Sequence, residues 1–225
     1  MTVDLRLALQ QERAAELSER VERLLGPFSG TELALDSGCG AGALAFALAP
    51  HVGEVVGVDV RSEYLDAARA IAPGNVRFVE GEATALPFGY GSFDISGCLR
   101  LLHHVRRPEL AVSEIARVAR SGGVVFVADQ LGSVDPLRSL EQDRFERLRD
   151  PTHQRLLSEA DIRGFLDAND LVLVTSEVSR EEVDLEQRLE LQGVPEEERV
   201  RLRGLAPGSV YEVEIGWYVA RKSGP

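Results

Sequence analysis

The sequence has few cysteines, a single lysine and no long apolar run. Its two cysteines, Cys39 and Cys98, lie in loop or apolar segments and form no spaced framework, so we expect neither disulfides nor a structural zinc site. No stretch of about 18 apolar residues and no basic, apolar leader is present, which predicts no membrane span, no secretory signal and a cytoplasmic location. Lys222 is the only lysine among 25 basic residues, which we interpret as a coding bias.

The charge balance is acidic. The formal net charge is -12, and phosphate binding needs clustered lysine and arginine, so a nucleic-acid partner is not expected. A small or neutral partner fits better. With 225 residues and 44% hydrophobic content, the chain can bury one sizeable core, and we expect one domain.

Residues 33–42 form an apolar strand that runs into a glycine-rich turn. Gly38, Gly40 and Gly42 stand at alternate positions and are followed by an Ala- and Leu-rich helix predicted over 41–49. Glycine permits positive φ and removes β-carbons from one side of the loop, so a ligand can approach the backbone closely. The unit is typical of nucleotide-binding βαβ folds, although glycines at a strand end can also serve plain helix packing.

Further strands alternate with helices along the chain. The strand over 53–59 ends at Asp59, 21 residues after Gly38. In nucleoside-binding βαβ units a carboxylate there accepts hydrogen bonds from both ribose hydroxyls, and the alternative is that Asp59 caps the next helix. More strands follow over 75–79, 92–98 and 124–128, and this alternation predicts a parallel, doubly wound sheet with a ligand across its carboxyl ends.

The flanking segments are predicted to be helical. Residues 2–25 form an amphipathic helix, either a lid over the glycine loop or a helix packed on the sheet. Residues 136–149 predict a charged helix with one apolar side, and 158–169 a helix capped by Ser158. Two strands are predicted over 171–178 and 210–220, with acidic helices over 181–205 between them. The apolar side of the 136–149 helix consists of Leu137, Leu140, Phe145 and Leu148.

These motifs together resemble the S-adenosylmethionine-dependent methyltransferases of the Rossmann-like class, within it the branch similar to ubiquinone and menaquinone biosynthesis enzymes. The motifs that carry the resemblance are Asp36-Ser-Gly-Cys-Gly-Ala-Gly42, Asp59, Gly81-Glu-Ala-Thr-Ala-Leu-Pro-Phe88, Ser92-Phe-Asp94, His103-His104 and Arg120-Ser-Gly-Gly123. The resemblance covers residues 30–130. The glycine spacing also lacks the step that brings a dinucleotide pyrophosphate to a helix N-terminus.

The resemblance implies an α/β fold: a doubly wound, seven-stranded, mostly parallel sheet with an antiparallel last strand and helical cap insertions. A single domain would then comprise an N-terminal helical lid (1–25), a cofactor-binding core (30–130) and a segment with substrate-capping helices (136–205). The last strand would lie between strand five and the strand that precedes it in the chain.

The resemblance also implies which residues bind S-adenosylmethionine. Asp59 would hold the ribose, and Glu82 would meet the adenine edge, where the family more often has Asp. Ser37 replaces a usual aliphatic residue and Ala41 a usual Thr or Ser. The full predicted set is Asp36, Ser37, Gly38, Cys39, Gly40, Asp59, Val60, Gly81, Glu82, Ala83, Cys98 and Leu99.

Candidate catalytic residues are the histidines near the expected position of the methyl group. His103 and His104 follow strand four, and either can act as a general base or orient the acceptor; alternatively, the pair caps a helix or packs. His153 is a further candidate that can also simply brace its loop. His51 is most simply a partner of a helix C-terminus. Cys98 is not expected to be a nucleophile, and no catalytic metal is predicted.

The predicted function is methyl transfer from S-adenosylmethionine to a small-molecule O, N or C acceptor by in-line displacement. One alternative is an NAD(P)-dependent oxidoreductase, which the glycine spacing and residues 81–88 disfavour. A different catalytic use of the same cofactor and a nucleoside-hydrolysing enzyme remain open. So does a non-catalytic partner subunit that binds S-adenosylmethionine.

Overall fold

The computed structural model describes the backbone of residues 3–224 and the side chains of 14–190 and 192–224. The strands are β1 (Leu33–Ser37), β2 (Glu54–Asp59), β3 (Val76–Glu80), β4 (Phe93–Leu99), β5 (Ala119–Gln130), β6 (Leu171–Asp184) and β7 (Val210–Lys222). The helices are α1 (Val3–Leu25), α2 (Ala43–Leu48), α3 (Ser62–Ile71), α4 (Pro108–Val118), α5 (Pro136–Arg149), α6 (Glu159–Asp167), α7 (Leu185–Leu191) and α8 (Glu196–Arg203).

The seven strands form one sheet in the order β3-β2-β1-β4-β5-β7-β6. The first five strands are parallel, and β7 is antiparallel to both β5 and β6. This confirms the predicted fold class, including the position of the last strand between strand five and its own neighbour. The chain order reverses between β1 and β4, which is where open α/β sheets form a crevice at the carboxyl ends of their strands.

Each face of the sheet has its own apolar core. Ala34 and Leu35 are adjacent in β1 and enter opposite cores, as the two-residue period of a strand requires. The core on the α2 side includes Val21, Leu44, Leu48, Leu65, Phe126 and Trp217. The core on the α4 side includes Leu35, Val58, Phe93, Ile115, Leu157 and Ile162.

The second half of α1 packs on the molecule. Val21 and Leu25 are buried in the α2-side core, and the Ser18 hydroxyl lies 3.0 Å from Nε2 of His51, just beyond α2. Arg23 binds Glu177 of β6 through two hydrogen bonds of 2.7 and 2.8 Å. These contacts attach α1 to α2 and to the edge strand. The predicted helix began at residue 2, which lies outside the described residues.

Helix α5 has the predicted bounds but buries only part of its predicted apolar side. Phe145 is buried and Leu148 packs against the α2-side core, whereas Leu137 is 73% exposed and Leu140 is 62% exposed. The helix also buries the oppositely charged Glu146 and Arg149. An apolar pattern cannot reveal these two residues, because they are charged.

The prediction of helix over residues 181–184 is also wrong. Strand β6 continues to Asp184 because β7 is long enough to pair with it, from Leu171 opposite Lys222 to Asp184 opposite Val210, with one shift of register between Leu173 and Thr175. The two helices α7 and α8 follow, separated around Gly193. The β6–β7 ribbon therefore extends past Gln130, where β5 ends.

We expect Ser158→Ala to lower the free energy of unfolding by about 1 kcal/mol, since Ser158 caps α6. Its hydroxyl accepts from the Asp161 amide at 3.1 Å, and the Asp161 carboxylate accepts from the Ser158 amide at 2.9 Å. Urea denaturation measures the change, with Ser209→Ala in an exposed loop as the control. Equal losses in the two variants would contradict the capping role.

None of the described helices is long and apolar enough to cross a membrane.

Candidate functional site

The glycine loop after β1 is bound to the end of β2. The amides of Gly38 and Cys39 both donate to the Val58 carbonyl, at 2.7 and 2.9 Å. Gly40 has φ 52°, and a β-carbon built on it would meet nothing within 4 Å. The loop therefore adopts a left-handed backbone at Gly40 with open space beside it, which suits a ligand in close contact.

Gly38 leaves no room for a side chain. A β-carbon on it would collide with the side chain of Leu101, in the segment that follows β4. The absent side chain thus lets the β4 segment pack directly on the loop. This contact brings the ends of β1 and β4 together at the point where the sheet order reverses.

Asp59 ties the loop to the end of β2. Its Oδ2 accepts from the Gly40 amide at 2.8 Å, and its Oδ1 accepts from the Arg61 amide at 2.9 Å. Arg61 occupies the N-cap position of α3 and no side chain caps the first turn of that helix, so the alternative that Asp59 caps α3 is wrong. Because a carboxylate offers about four acceptor positions, Asp59 keeps capacity for further donors.

Asp36 and Ser37 are buried at the end of β1. Asp36 Oδ2 accepts from the Ala45 amide in the first turn of α2 at 3.0 Å. Burial, followed by the nearby charge of Asp59, raises the pKa of Asp36 to about 7. The Ser37 hydroxyl is buried and has no hydrogen-bond partner within the described part of the chain.

The raised pKa makes Asp36 a source of pH-dependent stability. Because the folded-state pKa of about 7 lies above its usual value of 3.8, the ionised carboxylate opposes folding, with the full cost above about pH 7 and none below about pH 4. We expect Asp36→Asn to be more stable than the wild type by roughly 1–4 kcal/mol at high pH, since one pKa unit corresponds to about 1.4 kcal/mol.

Urea denaturation at about pH 8.5 and about pH 4.5 tests this, and the gain should largely disappear at the lower pH. A stability difference that does not change with pH would show that ionisation of Asp36 is not its cause.

The ends of β2 and β3 form the next part of the site. The Gly81 amide donates to the Asp59 carbonyl at 3.0 Å, which places Glu82 and Ala83 beside Val60 and Asp59. Val60 is 57% exposed, although it follows a buried strand directly. Glu82 is also exposed, and its carboxylate accepts a long hydrogen bond of 3.5 Å from the Thr84 hydroxyl. An apolar side chain and a carboxylate therefore face solvent together.

The thiols of Cys39 and Cys98 are both buried. Cys98 lies in β4, so only its backbone can reach a ligand, while the next residue, Leu99, is partly exposed. Burial raises the pKa of both thiols, and the nearby carboxylates of Asp36 and Asp129 add to the effect at Cys39 and Cys98 respectively. Both side chains are therefore neutral thiols, unsuited to nucleophilic attack.

His103 is held by a buried aspartate. Its Nδ1 contacts Oδ1 of Asp129 at the end of β5, and Asp129 Oδ2 accepts from the Leu102 amide at 2.6 Å. Burial alone would raise the pKa of Asp129, but His103 and the backbone amides outweigh it and lower that pKa. Asp129 is thus an ionised carboxylate that fixes the His103 ring.

The three predicted histidines lie together. The His103 ring centroid is 4.1 Å from that of His104 and 5.7 Å from that of His153. Burial, and then His103, lowers the pKa of His104 to about 4, so His104 is neutral at physiological pH. His104 Nδ1 lies 3.0 Å from the Thr152 hydroxyl.

His153 differs from the other two because it binds α5. Its Nε2 lies 2.9 Å from Oδ1 of Asp143, which also accepts from the Leu156 amide at 2.8 Å. His153 is buried, and this contact attaches the segment after α5 to the helix itself. Among the described residues, no group of His, Cys, Asp or Glu side chains is arranged to hold a metal ion.

Sequence reasoning missed Asp129 as the partner of His103. A signal was present, because Asp129 ends an apolar strand in the same way as Asp59. Parallel strands bring their carboxyl ends to one edge, so an acid at the end of β5 is expected to meet residues that follow β4.

Comparison with known proteins agrees with this geometry. Residues 35–127 match the family model described as a methyltransferase domain. This part of the chain is therefore similar to that family. The chain is 38% identical over 141 residues to an uncharacterized methyltransferase, YcgJ, of Bacillus subtilis, which covers 61% of this chain and 56% of the relative. It is 35% identical over 121 residues to a ubiquinone biosynthesis O-methyltransferase of Pectobacterium carotovorum, covering 51% and 47%. The matches thus span about half the length of these curated relatives.

Solved structures extend the likeness beyond the methyltransferase domain. The crystal structure of YcgJ from Bacillus subtilis superposes with a TM-score of 0.86 at 25% identity, over 93% of this chain and 98% of that one. A geranyl diphosphate C-methyltransferase from Streptomyces coelicolor has a TM-score of 0.65 at 18% identity, over 92% and 79%, and shows the fold alone.

The matched residues 35–127 include all the residues predicted to bind the cofactor, and His103 and His104. Asp129 lies just outside the match, and His153 lies well beyond it. Helices α5 to α8 and the β6–β7 ribbon also lie outside the match.

Proposed function

We propose that the chain binds S-adenosylmethionine over the glycine loop and transfers its methyl group to a small-molecule O, N or C acceptor. The observation that carries the proposal is the junction of Asp59 with Gly40: a carboxylate with free acceptor capacity stands beside a left-handed glycine with open space. The Streptomyces coelicolor structure contains S-adenosyl-L-homocysteine, which supports this class of cofactor.

The residues present fit the cofactor. The open side of Gly40 admits a ligand against the backbone, and the unpartnered hydroxyl of buried Ser37 offers a hydrogen bond at the end of β1. Nothing in the loop is arranged for a phosphate: Gly38 and Cys39 direct their amides to Val58 and not outward. S-adenosylmethionine has no phosphate group.

Each side of the site would contact a different part of the cofactor. Asp59 would accept hydrogen bonds from the two ribose hydroxyls, and the exposed Val60 and Ala83 would pack on the adenine. Glu82 would accept from the exocyclic amine. Asp36, Gly38, the backbone of Cys39 and Gly81, and the end of β4 at Cys98 and Leu99 would line the remainder.

When bound, S-adenosylmethionine supplies an electrophilic methyl group, and the protein's work is to hold the acceptor atom in line with it. His103 is the base we assign. Asp129 fixes its Nδ1, which leaves Nε2 to take a proton from the acceptor, as in other Asp–His pairs. Asp129 acts through His103 and is a positioning residue.

We place the acceptor under the helices of the cap. Helix α1 is attached to the end of α2 by Ser18 and His51, and we propose that it covers the mouth of the cofactor site as a lid. Helices α5 and α7, with the β6–β7 ribbon, would form the opposite wall. His153, bound to Asp143, would hold the α5 end of that wall in place.

A methyl-transfer assay tests the proposal. Purified protein is incubated with S-adenosylmethionine labelled in its methyl group and with a panel of phenols, amines, carboxylic acids and enolisable carbon acids. The proposal expects label in at least one acceptor, formed in equal amount with S-adenosylhomocysteine. Binding of the cofactor without turnover on any acceptor class would instead favour a non-catalytic partner subunit.

A further inference from the structure

Five side chains form a buried polar group between the cap and the sheet. We call it the Arg188 cluster: Gln130 at the end of β5, Glu146 and Arg149 in α5, Arg188 in α7 and Tyr211 in β7.

The contacts within the cluster centre on Glu146. Its Oε2 accepts from Nε of Arg149 at 2.9 Å and more closely from Nη2 of the same residue, and its Oε1 accepts from Gln130 at 3.3 Å. Arg188 reaches the same Oε2 only at 3.8 Å. Arg149 is thus the main partner of the Glu146 carboxylate, and Arg188 lies farther from it.

Arg188 is therefore a weakly compensated cation. Its Nη1 donates to the Tyr211 hydroxyl at 3.1 Å, which carries no charge to offset it. Asp150, which directly follows α5, accepts from the Thr152 hydroxyl at 2.6 Å. The guanidinium groups of Arg149 and Arg188 thus share the Glu146 carboxylate. The Arg188 side chain is only 18% exposed. A partly buried cation of this kind favours an anion that completes its pairing.

The position of the cluster connects it to the proposed base. The backbone amide of Gln130 donates to Asp129 Oδ1 at 2.7 Å, and the same oxygen contacts His103. From His103, a continuous path of contacts runs through Asp129, Gln130 and Glu146 to Arg188. The cluster therefore begins next to the base at the carboxyl end of β5, although the side chains of the neighbouring Asp129 and Gln130 leave the strand on opposite faces.

We propose that Arg188, assisted by the Tyr211 hydroxyl, binds an anionic group of the methyl acceptor, a carboxylate or a phosphate ester. This rests on the function proposed above. A guanidinium matches either oxyanion with two parallel hydrogen bonds, and the Tyr211 hydroxyl can donate a third. Arg149 and Gln130 would hold Glu146 so that Arg188 remains turned toward the ligand.

Small aromatic probes test the proposal by calorimetry. Benzoate, phenyl phosphate and neutral benzamide are each titrated into the full chain, with and without S-adenosylhomocysteine. We expect one of the two anions to bind the wild type at least about 10-fold more tightly than benzamide, a difference that Arg188→Gln abolishes and Arg188→Lys reduces; tenfold corresponds to the weaker end of a charge-assisted contact.

Arg203→Gln is the matched control, because Arg203 is an exposed cap arginine already paired with Glu186 at 2.6 Å and Glu196 at 2.8 Å. It should leave the preference unchanged. Thermal unfolding checks that Arg188→Gln folds, and Tyr211→Phe, which keeps the ring, should weaken anion binding without unfolding the chain.

Equal binding of benzamide and the anions, no binding of any probe, or an anion preference that survives Arg188→Gln would each overturn the proposal. A separate titration with S-adenosylmethionine distinguishes the two proposals. If S-adenosylmethionine fails to bind while the Arg188-dependent preference persists, the anion site stands and the proposed function does not.

Discussion

Replacing His103 by alanine is expected to lower kcat by about 10²–10⁴-fold, the usual contribution of a general base, for an acceptor whose reacting group carries a proton at neutral pH. His103 is fixed through Nδ1 by an ionised, buried Asp129, which leaves Nε2 to take that proton. The measurement is methyl transfer at saturating S-adenosylmethionine, with kcat and KM determined separately.

A second variant separates catalysis from structure. Asp129→Asn should retain the buried shape but lose the charge that orients the ring and sets its tautomer, so we expect a fall in kcat of similar size and an altered pH profile. His51→Gln, far from the sheet's carboxyl edge beside Ser18, serves as the control and should leave kcat unchanged. If His103→Ala kept kcat within about threefold of the wild type, His103 would not be the base.

Asp59→Ala is expected to weaken S-adenosylmethionine binding by about 10²-fold or more. Two charge-assisted hydrogen bonds to the ribose would be lost, each contributing roughly 1.5–3 kcal/mol. The variant also loses the bond from the Gly40 amide, which holds the glycine loop against β2. Calorimetric titration gives the change in Kd directly.

The controls for Asp59 lie close in sequence. Asp66→Ala removes an exposed carboxylate of α3 that pairs with Arg69, and it should leave Kd unchanged. Asp59→Asn keeps an acceptor oxygen without the charge and should fall between Asp59→Ala and the wild type. Unchanged affinity in Asp59→Ala would remove the ribose assignment.

The fold was predictable because its signals are local. Strands that are buried on both faces appear as short apolar runs, and Gly38, Gly40 and Asp59 mark where two of them end. Since parallel strands collect their carboxyl ends at one edge, these local signals also predict which residues meet. The position of β7 followed from the resemblance and not from any local pattern.

The segment after β5 could not be predicted in the same way. The apolar pattern of α5 included the buried Phe145 but also the exposed Leu137 and Leu140. It could not include Glu146 or Arg149, which are buried and charged. Strand β6 likewise extends to Asp184 because of pairing with β7, a partner distant in sequence. The contact of His103 with Asp129 depends on two strands as well, so neither residue alone predicts it.

The most direct test of the central claim is to titrate S-adenosylmethionine and NADH separately into the same wild-type protein by calorimetry. The glycine loop with Asp59 predicts that S-adenosylmethionine binds with one site per chain and a Kd in the micromolar range, about −8 kcal/mol, and that NADH does not bind measurably. Binding of NADH without binding of S-adenosylmethionine would contradict the account.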